Sequence, residues 1–407
     1  MTEPDHPSGH GTTRRRLLFG GAAAGLGAAV AVTTDRVALA ASAPQPTPDT
    51  TGLNGAVTYA FHGEHQSGIA TPVTAYASFI ALDLNTGVDR GALARLMRVL
   101  SDDAARLMEG RGALADTEPE LAQTPAGLTV TFGFGPRFVS VAGGAAPSWL
   151  APLPAFDIDD LDPAFNDGDL LLLIAADDPV TVAHAARMLL KDSRSFASVR
   201  WRQDGFRRAY GSEVSGTTMR NLFGQVDGTT NPEPGTSEFD AAVWNRSGWL
   251  DGGTSLVLRR TRLDLDTWDE VDPTGRSFSV GRRISDGAPL TGEREGDEPD
   301  FEATTESGHT VISPVSHIAR ARPVNPDEVI FRRGYNYDVP PSGDGVSESG
   351  LLFASYQADV TRQFLPIQQR LAEADLLNTW TTPIGSAVFA IPPGCSEGGF
   401  IGDTLLG

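Results

Sequence analysis

An α+β protein built from two ferredoxin-like units packed together is predicted by three observations. Strand-length apolar runs alternate with helix-period segments, their order is βαββαβ, and that order is read twice in 407 residues, a length suited to two domains. In the first unit Ala77 to Leu84 is an apolar run of strand length. Leu93, Leu96, Met97, Leu100, Ala104, Leu107 and Met108 then recur three and four apart, the spacing of one helix face. Leu128 to Phe134 alternates as a strand, and Leu170 to Ala175 reads as a buried strand. Val180 to Leu190 has an apolar helical face, and Phe196 to Arg202 closes the unit. After Gly228 the order returns. The second unit has a strand over Ser255 to Leu263, a helix beginning near Asp266, strands over Val329 to Arg332 and Leu351 to Gln357, a helix over Thr361 to Ala374, and a last strand over Ser386 to Ile391. The division expected is a leader at 1–40, a linker at 41–55 and units at 56–222 and 223–407. Asp286 to Ser307, rich in Gly, Glu and Asp, reads as a surface excursion.

Composition excludes several function classes. A formal charge of −20 argues against a nucleic-acid partner, because a phosphate-binding surface needs an excess of Lys and Arg. Lys191 is the only lysine, so a catalytic-lysine mechanism has one candidate. The single cysteine, Cys395, rules out an intramolecular disulfide framework, multi-cysteine zinc sites and protein-held iron–sulfur clusters. A metal here must be held by histidine, carboxylate or a prosthetic group.

Arg14-Arg15-Arg16 opens a stretch through Val32 that is apolar, rich in Gly and Ala, and free of charge, which reads as a twin-arginine export signal. Ala38-Leu39-Ala40 offers a small-x-small cleavage site, and Ser42 to Thr51 has the Pro/Ser/Thr composition of a flexible linker. The expectation is a chain exported already folded by the twin-arginine translocase, to an extracellular, periplasmic or cell-surface location. Such a route suits a protein that receives a cofactor in the cytoplasm.

The loop between the units reads Asn221-Leu-Phe-Gly-Gln-Val-Asp227-Gly228-Thr229-Thr230-Asn231-Pro232. Its glycines suggest a tight loop whose backbone can approach a flat ligand, although on spacing alone Asp-Gly reads first as a surface turn. Of the histidines outside the leader, His62 and His65 are spaced like a metal pair, but on a strand residues three apart face opposite ways. His184 reads as a helix residue with a satisfied ring, and His309 has no pattern around it. His317 is different. Arg320 and Arg322 follow it, and Arg332-Arg333 come soon after, so an acidic protein gathers four arginines around one histidine. That grouping suits a local negative charge, of which haem propionates are one kind.

Together these motifs resemble the dye-decolourising peroxidase family, in particular its secreted twin-arginine members related to the haem proteins of bacterial iron-uptake operons. The resemblance rests on Gly63-Glu-His-Gln-Ser-Gly-Ile69, on Gly224 to Gly228 as a Gly-x-x-Asp-Gly motif continuing Thr-Thr-Asn-Pro, on His317, on Arg332-Arg333-Gly334, and on Gly350-Leu-Leu-Phe-Ala-Ser-Tyr-Gln357. It implies a pair of ferredoxin-like domains of the dimeric α+β barrel type and one haem b per chain in the second domain. His317 would be the proximal iron ligand, Asp227 the distal acid-base residue and Arg332 the distal arginine. Gly228, Thr229 and Thr230 would line the haem, Leu351 and Phe353 would cover its distal side, Arg322 would meet a propionate, and Asp375 would stand behind His317. Around Arg322-Pro323-Val324 the chain departs from the Asn-Pro-Arg of many relatives.

The activity implied is reduction of hydrogen peroxide through an oxoferryl porphyrin radical, with dyes or phenolic donors oxidised one electron at a time. A carboxylate stays ionised in more acid solution than an imidazole, so an aspartate base would keep activity at low pH. Bulky donors would be oxidised at aromatics near the surface, with Trp380, Tyr335, Tyr337 and Tyr356 as candidates. The alternatives are deferrochelatase-like release of iron from haem and a non-enzymatic haem carrier. A homo-oligomer is also an expectation.

Overall fold

In the computed structural model, residues 53–341 and 346–407 are described; the expected leader and residues 41–52 of the linker lie outside them. The first half follows the predicted order. β1 (Tyr76–Leu84) leads to α1 (Arg90–Met108), whose first turn is capped by the Asp89 carboxylate accepting from the Ala92 amide at 2.7 Å. The seven apolar positions read at three-and-four spacing on α1 are all buried. β2 (Thr129–Phe134), the short α2 (Pro136–Val141), β3 (Leu170–Ala176), α3 (Pro179–Ser193) and β4 (Ala197–Phe206) follow. α3 begins with proline at its first position and Asp178 as its cap.

The second half holds α4 (Ser237–Val243), β5 (Thr254–Leu263), α5 (Leu265–Asp269), α6 (Pro273–Val280), α7 (His317–Ala321), β6 (Phe331–Arg332), β7 (Tyr335–Val339), β8 (Glu348–Gln357), α8 (Leu365–Ala374), β9 (Thr381–Ile391) and α9 (Asp403–Leu406). The helix expected near Asp266 is two helices, because Asp272 caps a new start at Pro273. The strand expected at Val329 to Arg332 is only two residues long and is followed by β7, which the polar sequence Tyr-Asn-Tyr-Asp had hidden. The helix expected from Thr361 opens with a π-helical turn, Val360–Phe364, before α8.

All nine strands join one sheet in the order β5-β9-β2-β3-β1-β4-β7-β8, with β6 also against β8, and β8 pairs back with β5 so that the sheet closes. Within the first half the order is β2-β3-β1-β4. Within the second it is β9-β5-β8, with β6 and β7 sharing the remaining place. Both are the ferredoxin-like arrangement. The halves meet at Phe134 beside Ala390 and at Phe206 beside Asn336. Gln66 reinforces the first junction: its amide accepts from the Phe132 N–H at 2.8 Å and donates to Phe132 O at 3.1 Å and Pro392 O at 2.9 Å.

Strand alternation sorts the core. Leu171, Leu173 and Ala175 face a cluster shared by both halves with Phe79, Leu256, Tyr337, Tyr356 and Phe389, while Leu170, Leu172 and Ile174 pack under α1 and α3. On β8, Leu352, Ala354 and Tyr356 join the shared cluster, which turns Leu351 and Phe353 to the other face.

Candidate active site

That other face of β8 forms one wall of a cavity of about 370 Å³ in the second half. α8 with the residues that flank it supplies another wall: Phe364, Ile367, Gln368, Leu371 and Asp375 recur at helical spacing and all line it. α7 brings His317. Its Nδ1 lies 2.6 Å from Oδ2 of Asp375, whose other oxygen accepts from the Leu377 amide at 2.9 Å. Asp375 is thus held between the end of α8 and the following turn, and its side chain is 4 % exposed. Burial draws the His317 ring toward its neutral form, but the Asp375 carboxylate outweighs this by charge and hydrogen bond, so the ring's pKa lies above the usual histidine value. Nε2 has no hydrogen-bond partner among the described residues.

α7 is only five residues long and is fastened to α8 by reciprocal arginines. Arg320 Nε donates to Arg370 O at 3.0 Å, Arg370 Nε to Arg320 O at 3.2 Å, and Arg370 also pairs with the buried Glu328 at 2.8 Å. These bonds fix the helix that carries His317 against the one that carries Asp375.

The loop from Asn221 to Pro232 builds the remaining wall. Asn221 Oδ1 accepts from the amides of Phe223 and Gln225, and the Arg220 guanidinium donates to the carbonyls of Gly224, Ile284 and Ser285. Gly224 at φ +79° and Gly228 at φ +124° take backbone conformations that side-chain-bearing residues rarely adopt. The loop is therefore a rigid hairpin, not a surface turn. It delivers Asp227, which accepts from Arg332 Nη1 at 3.2 Å, while Nη2 of the same arginine donates to Thr230 Oγ1 at 3.3 Å. Asn231 locks Arg332 from behind, donating to its carbonyl at 2.7 Å and accepting from its amide at 3.0 Å.

Asp227, Gly228, Thr229, Thr230, His317, Arg322, Arg332, Leu351, Phe353 and Asp375 all line this one cavity. Of the four grouped arginines, however, only Arg322 and Arg332 do. Arg320 serves the α7–α8 joint, and Arg333 reaches the carbonyls of Thr71 and Pro72. Asp286 to Ser307 is not a plain surface excursion, since Glu298, Pro299 and Phe301 line the cavity and the Arg322 guanidinium sits 4.5 Å from the Phe301 ring centre. His62 and His65 lie on irregular backbone rather than a strand, and the His65 ring stacks on Trp244 at 3.6 Å. His184 bonds Asp116 at 2.9 Å.

Sequence reasoning missed two cavity cations. Arg259 is tied to Asp159, which the first half contributes, and Arg282 follows the end of α6. Nothing in the sequence separates Arg282 from Arg283, which pairs with Asp286 in solvent.

The four aromatics divide. Tyr335, Tyr337 and Tyr356 are buried in the shared core, so none is near the surface; burial pushes the Tyr337 hydroxyl up to about 12, and the Tyr356 hydroxyl has no hydrogen-bond partner among the described residues. Trp380 is half-buried. It lies edge-on to Trp268 at 5.1 Å between ring centres, and Trp268 lies 4.5 Å from Phe223 of the cavity wall.

The family model for the N-terminal domain of Dyp-type peroxidases matches residues 66–207, and that for the C-terminal domain matches residues 218–396, including every cavity residue expected above. The chain belongs to the Dyp-type peroxidase family. It is 36 % identical over 430 residues to a dye-decolorizing peroxidase of Thermobifida fusca, with all of each chain covered. It is 32 % identical over 370 residues to the deferrochelatase of Escherichia coli K12, covering 85 % of this chain and 86 % of the relative. Among solved structures, a DyP-type peroxidase from Cellulomonas bogoriensis is 52 % identical with a TM-score of 0.84, covering 87 % of this chain and 99 % of that one. Ferric DtpA from Streptomyces lividans is 40 % identical with a TM-score of 0.83, covering 88 % and 99 %. This Dyp-type peroxidase is accordingly an oxidoreductase with the family's α+β architecture.

Proposed function

We propose that this peroxidase holds haem b in the cavity through His317, reduces hydrogen peroxide there, and oxidises aromatic or dye donors. The observation that carries the reading is that a carboxylate-backed imidazole with a free nitrogen and an aspartate–arginine pair open on the same cavity. The donor set fits haem. Among the described residues no group of three or more His, Cys, Asp or Glu side chains could hold a metal, so an iron bound at His317 takes one protein bond and needs its other ligands from the porphyrin.

When bound, haem supplies the iron at which the peroxide O–O bond breaks and the oxidising power passed to donors. The chain's residues supply the rest. Asp375 fixes the ring orientation of His317 and increases electron donation from its nitrogen. The Asp227 carboxylate accepts a proton from one peroxide oxygen and returns it to the other, so that water leaves. Arg332 steadies the negative charge that develops there, and its lock by Asn231 and Thr230 means that no reorganisation is needed at that moment. Leu351 and Phe353 keep their wall of the cavity apolar. Trp380 is the donor-facing candidate for bulky dyes, with Trp268 between it and the cavity.

The test is an absorption spectrum of purified protein before and after one equivalent of peroxide. A haem Soret band that shifts on peroxide addition and recovers with donor supports the reading, and no Soret band or no shift overturns it. A second reading, release of iron from haem, is favoured by the identity to the Escherichia coli deferrochelatase. It predicts metal-free protoporphyrin and free iron without added peroxide, which fluorescence detects. We propose the twin-arginine route for export on the sequence of residues 14–40; a fusion of that segment to a reporter, with Arg15 and Arg16 changed to lysine, tests it.

A further inference from the structure

Arg282 is 7 % exposed and lines the cavity, yet among the described residues no carboxylate lies within ion-pair distance of it. Its Nη1 donates to Gly287 O at 2.8 Å and to Glu295 O at 2.7 Å, both neutral carbonyls. The Glu295 carboxylate acts on this charge only through space and accepts instead from Thr218 at 2.6 Å and Thr229 at 2.9 Å. The other cavity arginines are met differently. Arg259 has Asp159, Arg332 has Asp227, and Arg322 is exposed with its guanidinium on the Phe301 ring. Glu298 likewise acts on Arg282 only through space, and a buried guanidinium without a direct carboxylate partner is costly, a cost that a bound anion offsets. Burial also holds the Arg282 pKa below the usual arginine range.

Position narrows the anion. Arg282 follows Gly281, where even a Cβ would come within 2.6 Å of Ile318 on α7, and the segment it holds is bonded through Glu295 to Thr229 of the loop that carries Asp227. It therefore stands at the seam between the His317 wall and the Asp227 wall. Haem held between those walls would offer its two carboxylates, its only anionic groups, to a cation at the seam.

We propose that Arg282 binds one haem carboxylate inside the cavity, leaving Arg322 on the exposed rim for the other. This rests on the haem reading above. Arg332 and Asp227 meet peroxide in that reading, and Arg282 takes a different partner.

The test loads the full chain with iron protoporphyrin IX or with its dimethyl ester, which lacks both carboxylates, and follows loss of each to excess apomyoglobin in the Soret region. Arg282→Met should lose haem roughly ten- to hundredfold faster than the parent chain, as expected for one charge-assisted bond, and lose the ester at the parent rate. Arg282→Lys should recover part of the difference, and it carries the comparison alone if the methionine variant does not fold. Equal haem loss in variant and parent overturns the proposal. So does equal acceleration for both porphyrins, the signature of a residue that only braces the 282–296 segment. If the parent chain takes up neither porphyrin, the haem reading itself falls and this proposal with it.

Discussion

Replacing Arg332 with leucine should slow the reaction with peroxide more than replacing Asp227 with asparagine. Arg332→Leu removes the guanidinium from two partners, Asp227 at 3.2 Å and Thr230 at 3.3 Å, while leaving the backbone clasp with Asn231. Losing a preorganised donor at a site of developing charge costs about 3 kcal/mol. The carboxylate left behind adds a second loss. Without the guanidinium that positions it, Asp227 is free to shift, and a misplacement of about 1 Å costs up to roughly 10²-fold, for which we take about 2 kcal/mol. The sum of about 5 kcal/mol is a slowing of roughly 10³- to 10⁴-fold. Asp227→Asn is nearly isosteric and keeps Arg332 in place, so the loss is that of a proton carrier, roughly 10²- to 10³-fold. Stopped-flow measurement of the second-order rate constant with peroxide, on variants whose resting Soret bands match the parent, gives the ranking. Equal slowing, or a larger effect of Asp227→Asn, would refute the claim that the arginine carries the larger share.

Asp375→Asn should loosen haem by about 10- to 100-fold, because the variant keeps shape but not charge behind His317; haem transfer rates read this directly. Trp380→Phe should slow oxidation of a bulky dye while leaving peroxide consumption with a small donor unchanged, and Tyr356→Phe should change neither. Away from the site, burial and then the hydrogen bond and charge of Asp103 raise the Asp192 carboxyl to about 7 from 3.8. A raised acid favours the folded state while protonated, so its contribution is complete below about pH 4 and fades as pH rises to about 7. Asp192→Asn should raise the urea midpoint above pH 7, with the difference shrinking toward pH 4. The full shift sets a ceiling of about 4 kcal/mol, and half-burial brings the expectation to about 2 kcal/mol. Parallel pH profiles for variant and parent would contradict this account.

Periodicity and punctuation are local signals, and where the chemistry was local the sequence carried it. The apolar stripe of α1, the buried run of β3, the two-apart pair Leu351 and Phe353 on β8, and the fixed spacing of Gly224, Asp227 and Gly228 were legible because each depends only on neighbours along the chain. β7 was not legible, because its tyrosines are buried against residues distant in sequence such as Phe79 and Leu256, and its asparagine pairs beside Phe206. Nor was the fate of the arginines. Arg320, Arg322, Arg332 and Arg333 look alike in one dimension, but their partners are Arg370, Phe301, Asp227 and Thr71, residues up to 262 positions away. Chain order supplied the residue types and the two βαββαβ patterns. Closure of β8 onto β5 and the packing of α7 on α8 decided which side chains share one desolvated space, because burial and charge pairing depend on distance in three dimensions.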